Sequence, residues 1–190
     1  MPNLYILAGP NGAGKTTAAY TLLPEVLHCY EFVNADEIAR GLSPFQPDTV
    51  AFEAGRIMLQ RIDHLLQQRV DFAFETTLST RSYVHTIRRA SELGYDVTLF
   101  YVWLQSVELA KERVAIRVSK GGHNIPQDVI ERRYKRSLEN LMSLYLPVCT
   151  RTIVVDNSAT ELQPIAECWE GELKQVFDEI NWQKLIGYGR

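Results

Sequence analysis

An α/β fold with a parallel sheet covered on both faces is what this sequence predicts, on three observations. Five apolar runs of strand length alternate with amphipathic segments of helical length. A Gly-rich loop joins the first of these runs to the first helix. The chain has 190 residues, 46% hydrophobic and 23% charged, which suits one well-buried domain over residues 1–190.

The first run, Leu4–Ala8, is short and uninterrupted, as a strand buried on both faces should be. Residues Gly9, Pro10, Asn11, Gly12, Ala13, Gly14, Lys15 and Thr16 come next as a complete Walker A phosphate loop, with Thr17 continuing into a helix that runs to Pro24. Two glycines flanking four free positions let the backbone curl so that its N–H groups cradle phosphates. Lys15 reaches the terminal phosphates and the Thr16 hydroxyl ligates Mg²⁺. The helix N-terminus adds its dipole. The chain is therefore expected to bind a nucleoside triphosphate with Mg²⁺.

The second strand, Phe32–Val33, leads into Val33-Asn34-Ala35-Asp36-Glu37-Ile38-Ala39-Arg40. In open parallel sheets ligands sit at the carboxyl ends of strands, so Asp36 is a candidate general base for an attacking hydroxyl. Arg40 lies one turn on, on the same helix face. The plainer alternative is that Asp36 caps that helix. A helix from about 49 to 68 places Phe52, Ile57, Leu59, Ile62, Leu65 and Leu66 on or near one stripe. The third strand, Phe72–Phe74, ends in Glu75-Thr76-Thr77, again an acidic residue at a strand terminus. Glu75 is a candidate for holding metal-bound water or a substrate hydroxyl, with Thr76 as a donor.

A helix over 82–93, stopped by Gly94, precedes the fourth strand, 97–104. That strand runs into Gln105, so no strand ends in the aspartate of a Walker B motif. Two helices, 107–118 and 127–146, then flank a loop containing Gly121-Gly122, an arrangement that suits a helical lid over about 107–146. Arg113, Arg117, Arg132, Arg133 and Arg136 concentrate there, and a transferring phosphoryl group needs such cations. Arg117 and Arg133 are the ones expected to flank the hinge most closely on inward-pointing helix faces. His123 reads as a loop-stabilising hydrogen bonder. A fifth strand, 152–155, a final helix over about 161–180 and a frayed tail from Gly187 complete the chain.

The net charge of −3 gives no overall pull toward nucleic acid or an anionic membrane. Cys29, Cys149 and Cys168 are odd in number and lack metal-ligand spacing, the pattern of reduced thiols in a cytoplasmic protein. The apolar run at the N-terminus is too short for a signal peptide or membrane span. With no Asn-Lys-x-Asp specifier and no Asp-x-x-Gly switch, a GTPase is not supported and ATP is favoured.

In order along the chain, Gly9–Thr17, Asn34–Arg40, Phe74–Ser79, Arg113–Arg117, Gly121–Pro126 and Arg132–Leu138 resemble the zeta-toxin-like kinases, a P-loop group that is also similar to chloramphenicol phosphotransferase. The resemblance implies a three-layer, nucleotide-kinase-like P-loop fold with a five-stranded parallel sheet in the order 2-3-1-4-5. It implies that Asp36 deprotonates the acceptor, that Glu75 and Thr76 hold it, and that Lys15, Arg117 and Arg133 steady the γ-phosphate. It also implies a small-molecule hydroxyl acceptor, since characterised zeta toxins phosphorylate the sugar of UDP-N-acetylglucosamine. An antitoxin protein is a partner the family brings with it; the chain's own residues do not argue for one. Two other readings stay open: a polynucleotide or nucleotide kinase, and a non-catalytic ATP-binding switch.

Overall fold

The computed structural model describes residues 1–122 and 124–188. Its elements, in chain order, are β1 (Asn3–Ala8), α1 (Lys15–Thr21), β2 (Phe32–Val33), α2 (Ala35–Leu42), α3 (Ala51–Gln68), β3 (Phe72–Thr76), α4 (Tyr83–Glu92), β4 (Asp96–Trp103), α5 (Val107–Ser119), α6 (Gln127–Asn140), β5 (Arg151–Asp156), β6 (Gln163–Trp169), β7 (Glu172–Val176) and α7 (Glu179–Gly187). One sheet carries all seven strands in the order β2-β3-β1-β4-β5-β6-β7. The first five are parallel and match the expected 2-3-1-4-5. β6 and β7 are antiparallel additions beyond β5.

The expectation of five strands and a closing helix over 161–180 is therefore corrected. Glu170 and Gly171 both have positive φ, 49° and 80°, the signature of a two-residue type I′ turn that folds this segment into a hairpin. Along β6, Ile165, Ala166 and Cys168 are buried while Trp169 is exposed. The terminal helix starts only at Glu179, where the Asp178 carboxylate accepts the N–H of Asn181 at 3.0 Å. Gly187 is the last residue of that helix and not part of a frayed tail; Gly189 and Arg190 lie outside the described residues.

The two faces of the sheet are filled unequally. The larger core packs Val97, Leu99, Tyr101 and Trp103 of β4 against Ile87 and Ala90 of α4 and Leu138 of α6. A smaller cluster, Leu7, Ala19, Leu23, Cys29 and Ala73, lies under α1. The buried stripe of α3 is Ala54, Met58, Ile62, Leu65 and Leu66. Phe52 and Leu59 fall outside that stripe at the helical repeat, and both are exposed.

Buried polar contacts pin the second half of α6. The hydroxyls of Tyr101 and Ser137 share a hydrogen bond at 2.8 Å, Tyr134 donates to the Leu104 carbonyl at 2.6 Å, and Asn140 Nδ2 donates to the Leu78 carbonyl at 2.7 Å. Each is a partner that would be costly to remove from so dry a setting. The three cysteines are free and buried, and burial pushes their thiols up to about 11 for Cys29, about 12 for Cys149 and about 11 for Cys168. Thiols so raised stay protonated and inert at neutral pH. Among the described residues no helix is long and apolar enough to cross a membrane.

Candidate active site

The parallel register sets the site. β1 pairs with β3 on one side, Leu7 opposite Glu75 and Ala8 opposite Thr76, and with β4 on the other. The phosphate loop therefore leaves the middle of the sheet with the ends of β3 and β2 beside it, at the carboxyl edge where such sheets bind ligands. Gly9 leaves β1 at φ 141°, and a Cβ there would stand 2.1 Å from the Val102 carbonyl oxygen. At the far end Gly14 caps α1, and Asn157, just beyond β5, clasps the loop by donating from Nδ2 to the Ala13 carbonyl at 2.8 Å.

Lys15 is 6% exposed; its Nζ donates to the Pro10 carbonyl at 3.1 Å and lies 3.6 Å from Glu75 Oε1. The Thr16 hydroxyl donates to Glu75 Oε2 at 2.7 Å, and Asn34 Nδ2 donates to the same oxygen at 3.0 Å. Glu75 is thus the hub of the loop side of the site. Thr16 and Glu75 together offer adjacent hard oxygens of the kind Mg²⁺ takes from protein when phosphates and water supply its other ligands. No cluster of three or more His, Cys, Asp or Glu suited to another metal occurs among the described residues.

Asp36 is exposed on the first turn of α2, and it does not cap that helix. Asn34 does, its Oδ1 accepting the N–H groups of Asp36 at 2.8 Å and Glu37 at 3.4 Å. The Asp36 carboxylate is left for other work. It acts on Arg133 of α6: burial pulls that guanidinium below its ordinary range, Asp36 pushes it back up, and Arg132 pulls it down again. α2 and α6 thus bring together an acid and a cation 97 positions apart in the chain.

Other candidates are distributed around this pair. Arg40 pairs with Glu37 at 2.9 Å on the surface of α2. Thr76 Oγ1 accepts the N–H of Leu78 at 3.1 Å, in a turn where Leu78 itself has φ 54°. Arg117 sits where α5 meets the Gly-Gly loop, its carbonyl accepting the N–H of Gly122 at 2.9 Å. Arg113 is turned to the back of the loop, its Nη2 donating to the Ser158 carbonyl at 3.2 Å. Arg132 and Arg136 are exposed, and His123 lies outside the described residues. A cleft of about 360 Å³ opens between the α2–α3 connection and the α5–α6 loop, with Arg40, Phe45, Asp48, Gly122 and Asn124 on its walls.

Sequence reasoning missed Asn34, Asn157 and Asn140. The first had a signal, since Asn34 three residues before Glu37 is the N-cap spacing of a helix start. Asn157 has none, because its partner Ala13 lies 144 residues away.

Comparison with known proteins gives consistent likenesses. The family model described as Zeta toxin matches residues 1–166. An uncharacterized protein of Haemophilus influenzae is 32% identical over 126 residues, covering 66% of this chain and 88% of that protein. Among crystal structures, the AvrRxo1-ORF1:AvrRxo1-ORF2 complex with sulphate ions is similar at a TM-score of 0.79 and 19% identity, over 97% of this chain and 63% of that one. The same complex with ATP gives 0.77 and 20%, over the same shares of the two chains. This chain therefore spans less than two thirds of that protein's length. A structure of the PezAT chromosomal toxin-antitoxin system of Streptococcus pneumoniae gives 0.69 and 16%, over 100% of this chain and 84% of that one. At these identities the structural likenesses establish the fold.

Proposed function

The chain belongs to the Zeta toxin family of P-loop phosphotransferases, and we propose that it transfers the γ-phosphoryl group of MgATP to a hydroxyl of a nucleotide sugar of the UDP-N-acetylglucosamine kind. The observation that carries the reading is Asp36, uncommitted to its own helix and close enough to act on the charge of the half-buried Arg133, on a helix whose cap Asn34 is hydrogen-bonded to Glu75, the partner of the loop residue Thr16. A carboxylate with a guanidinium next to it supplies a proton acceptor and a charge clamp together, the two parts such a transfer asks of a protein.

In this mechanism the loop N–H groups and Lys15 hold the phosphates, and Lys15 exchanges its present partners for phosphate oxygens. Thr16 and Glu75 would hold Mg²⁺, which when bound neutralises charge on the β- and γ-phosphate oxygens. Asp36 takes the acceptor's hydroxyl proton. The freed oxygen pair bonds to the γ-phosphorus as the bond to the β–γ bridging oxygen breaks, and ADP leaves. Arg133 and Arg117 steady the phosphoryl group in passage. Arg40 and Thr76 hold the acceptor, with the neighbouring cleft for the rest of it. Closure would involve the end of α5, the Gly121-Gly122 loop and the start of α6, because Tyr134, Ser137 and Asn140 anchor the second half of α6. A cytoplasmic setting, where ATP meets reduced thiols, and an antitoxin partner of the sort present in the PezAT system belong to the same proposal.

Mass spectrometry tests it. The protein is incubated with MgATP and, in parallel, UDP-N-acetylglucosamine, free N-acetylglucosamine, chloramphenicol and a 5′-hydroxyl oligonucleotide. The expected result is one phosphoryl group gained by the nucleotide sugar. Transfer to the oligonucleotide alone would replace this reading with a polynucleotide kinase. ATP binding without turnover on any acceptor or on a metabolite extract would replace it with a switch.

A further inference from the structure

Asn34 is 6% exposed, and both ends of its amide are engaged. Oδ1 caps α2 by accepting from Asp36 and Glu37, while Nδ2 donates to Glu75 Oε2 at 3.0 Å. That oxygen also accepts the Thr16 hydroxyl at 2.7 Å. A continuous chain of hydrogen bonds therefore runs from the loop threonine through Glu75 and Asn34 into the first turn of the helix that carries Asp36. Only a side-chain amide offers at this length an acceptor for the cap and a donor for the carboxylate.

We infer that Asn34 is a positioning residue that couples nucleotide and metal at the phosphate loop to the order of α2, and so to the placement of Asp36. Its catalytic consequence rests on the reading of Asp36 as the base; the coupling itself does not. Two effects drive it. Phosphate draws Lys15 away from Glu75 Oε1, now 3.6 Å distant, leaving that carboxylate to be held by Thr16 and Asn34. Mg²⁺ held by Thr16 and Glu75 would also fix that carboxylate in place as the acceptor that Asn34 Nδ2 reaches. Both hold the Asn34 amide in its capping orientation, and in a low-dielectric chain the effect passes along to the cap.

Hydrogen–deuterium exchange across Ala35–Leu42 reads this directly, without an acceptor or turnover. In the wild type, saturating MgADP should slow exchange of α2 by about three- to tenfold, the scale of one helix cap, and ADP without metal should slow it less. Asn34→Ser keeps a good cap but has no donor that reaches Glu75. It should bind MgADP by calorimetry with a thermal midpoint close to wild type, yet show no slowing of α2. Slowing in Asn34→Ser equal to wild type, or none in the wild type, would overturn the coupling. Should Asn34→Ser fail to fold or bind, Glu75→Gln, which removes the charge of the middle link at constant size, is expected to lose the same response at nucleotide concentrations that saturate it by calorimetry, and its retention would equally overturn the inference. Failure of the base assignment would show separately, as unimpaired turnover in Asp36→Asn with the exchange result unchanged.

Discussion

Asp36→Asn is expected to lower phosphoryl-transfer turnover by about 10³-fold while changing ATP affinity by no more than about twofold. The separation between the two effects is the point of the substitution. Asp36 takes part in the fold through its backbone, whose N–H donates to Asn34 Oδ1, and asparagine retains that bond. The side chain is exposed and contributes no cap. Loss of its charge near a helix N-terminus should cost about 0.5 kcal/mol of stability, small beside the effect on rate. Arg133 meanwhile loses the carboxylate that opposes burial, so its guanidinium is pulled further below its ordinary range. Steady-state kinetics against ATP and acceptor, with a thermal unfolding scan, check all three. Turnover within tenfold of wild type would remove Asp36 from the reaction as its base.

The parts of the molecule that were legible in its sequence are those whose cause is local. β1 through β5 could be read because each is an apolar run bounded by a turn or helix signal, and the phosphate loop because its glycine spacing is itself the structural requirement. The β6–β7 hairpin was misread because its edge position leaves only Ile165, Ala166 and Cys168 buried, too few for a clear period of two. The decisive turn is two residues, Glu170 and Gly171, in a stretch otherwise compatible with a helix. α6 posed the opposite problem. Its arginines read as a mobile lid, whereas Tyr134, Ser137 and Asn140, hydrogen-bonded in the interior, tie its second half to β4 and to the turn after β3.

The candidate site divides in the same way. Glu75 could be marked from its place at the end of an apolar strand. Its bond to Thr16, 59 residues earlier, comes from the register of β3 on β1 and from nothing near either residue. This is why Glu75 could be assigned to the acceptor or to the metal from sequence, while its hydrogen bonds tie it to Thr16 and Asn34 and set it 3.6 Å from Lys15. Asp36 and Arg133 each carry a local signal; that they act on one another comes from the fold bringing α6 near the start of α2.

Gly9→Ala is expected to destabilise the protein by about 4 kcal/mol, a fall of roughly 10 °C in thermal midpoint, and to abolish ATP binding at millimolar nucleotide. At φ 141° the backbone is in a region that is open to glycine and strained for any side chain. The added methyl would also stand 2.1 Å from the carbonyl oxygen of Val102 and 3.1 Å from its carbon, atoms of the central strand β4 that cannot rotate away as a side chain could. Relief requires either parting the ends of β1 and β4, where Ala8 pairs with Tyr101, or re-routing the loop. The first loosens the core around Tyr101 and Trp103; the second turns the N–H groups out of the phosphate cradle. Stability and nucleotide binding should therefore fail together. Gly55→Ala in α3 gives the contrast: nothing lies within 4 Å of a Cβ there, and alanine in a helix interior should raise stability by about 1 kcal/mol with ATP binding unchanged. Calorimetric scans and ATP titrations of the two variants side by side separate a generic loss of glycine freedom from the demand made by the phosphate loop. Near-wild-type binding in Gly9→Ala would mean that the loop can reach its phosphate-holding form by another path past Val102.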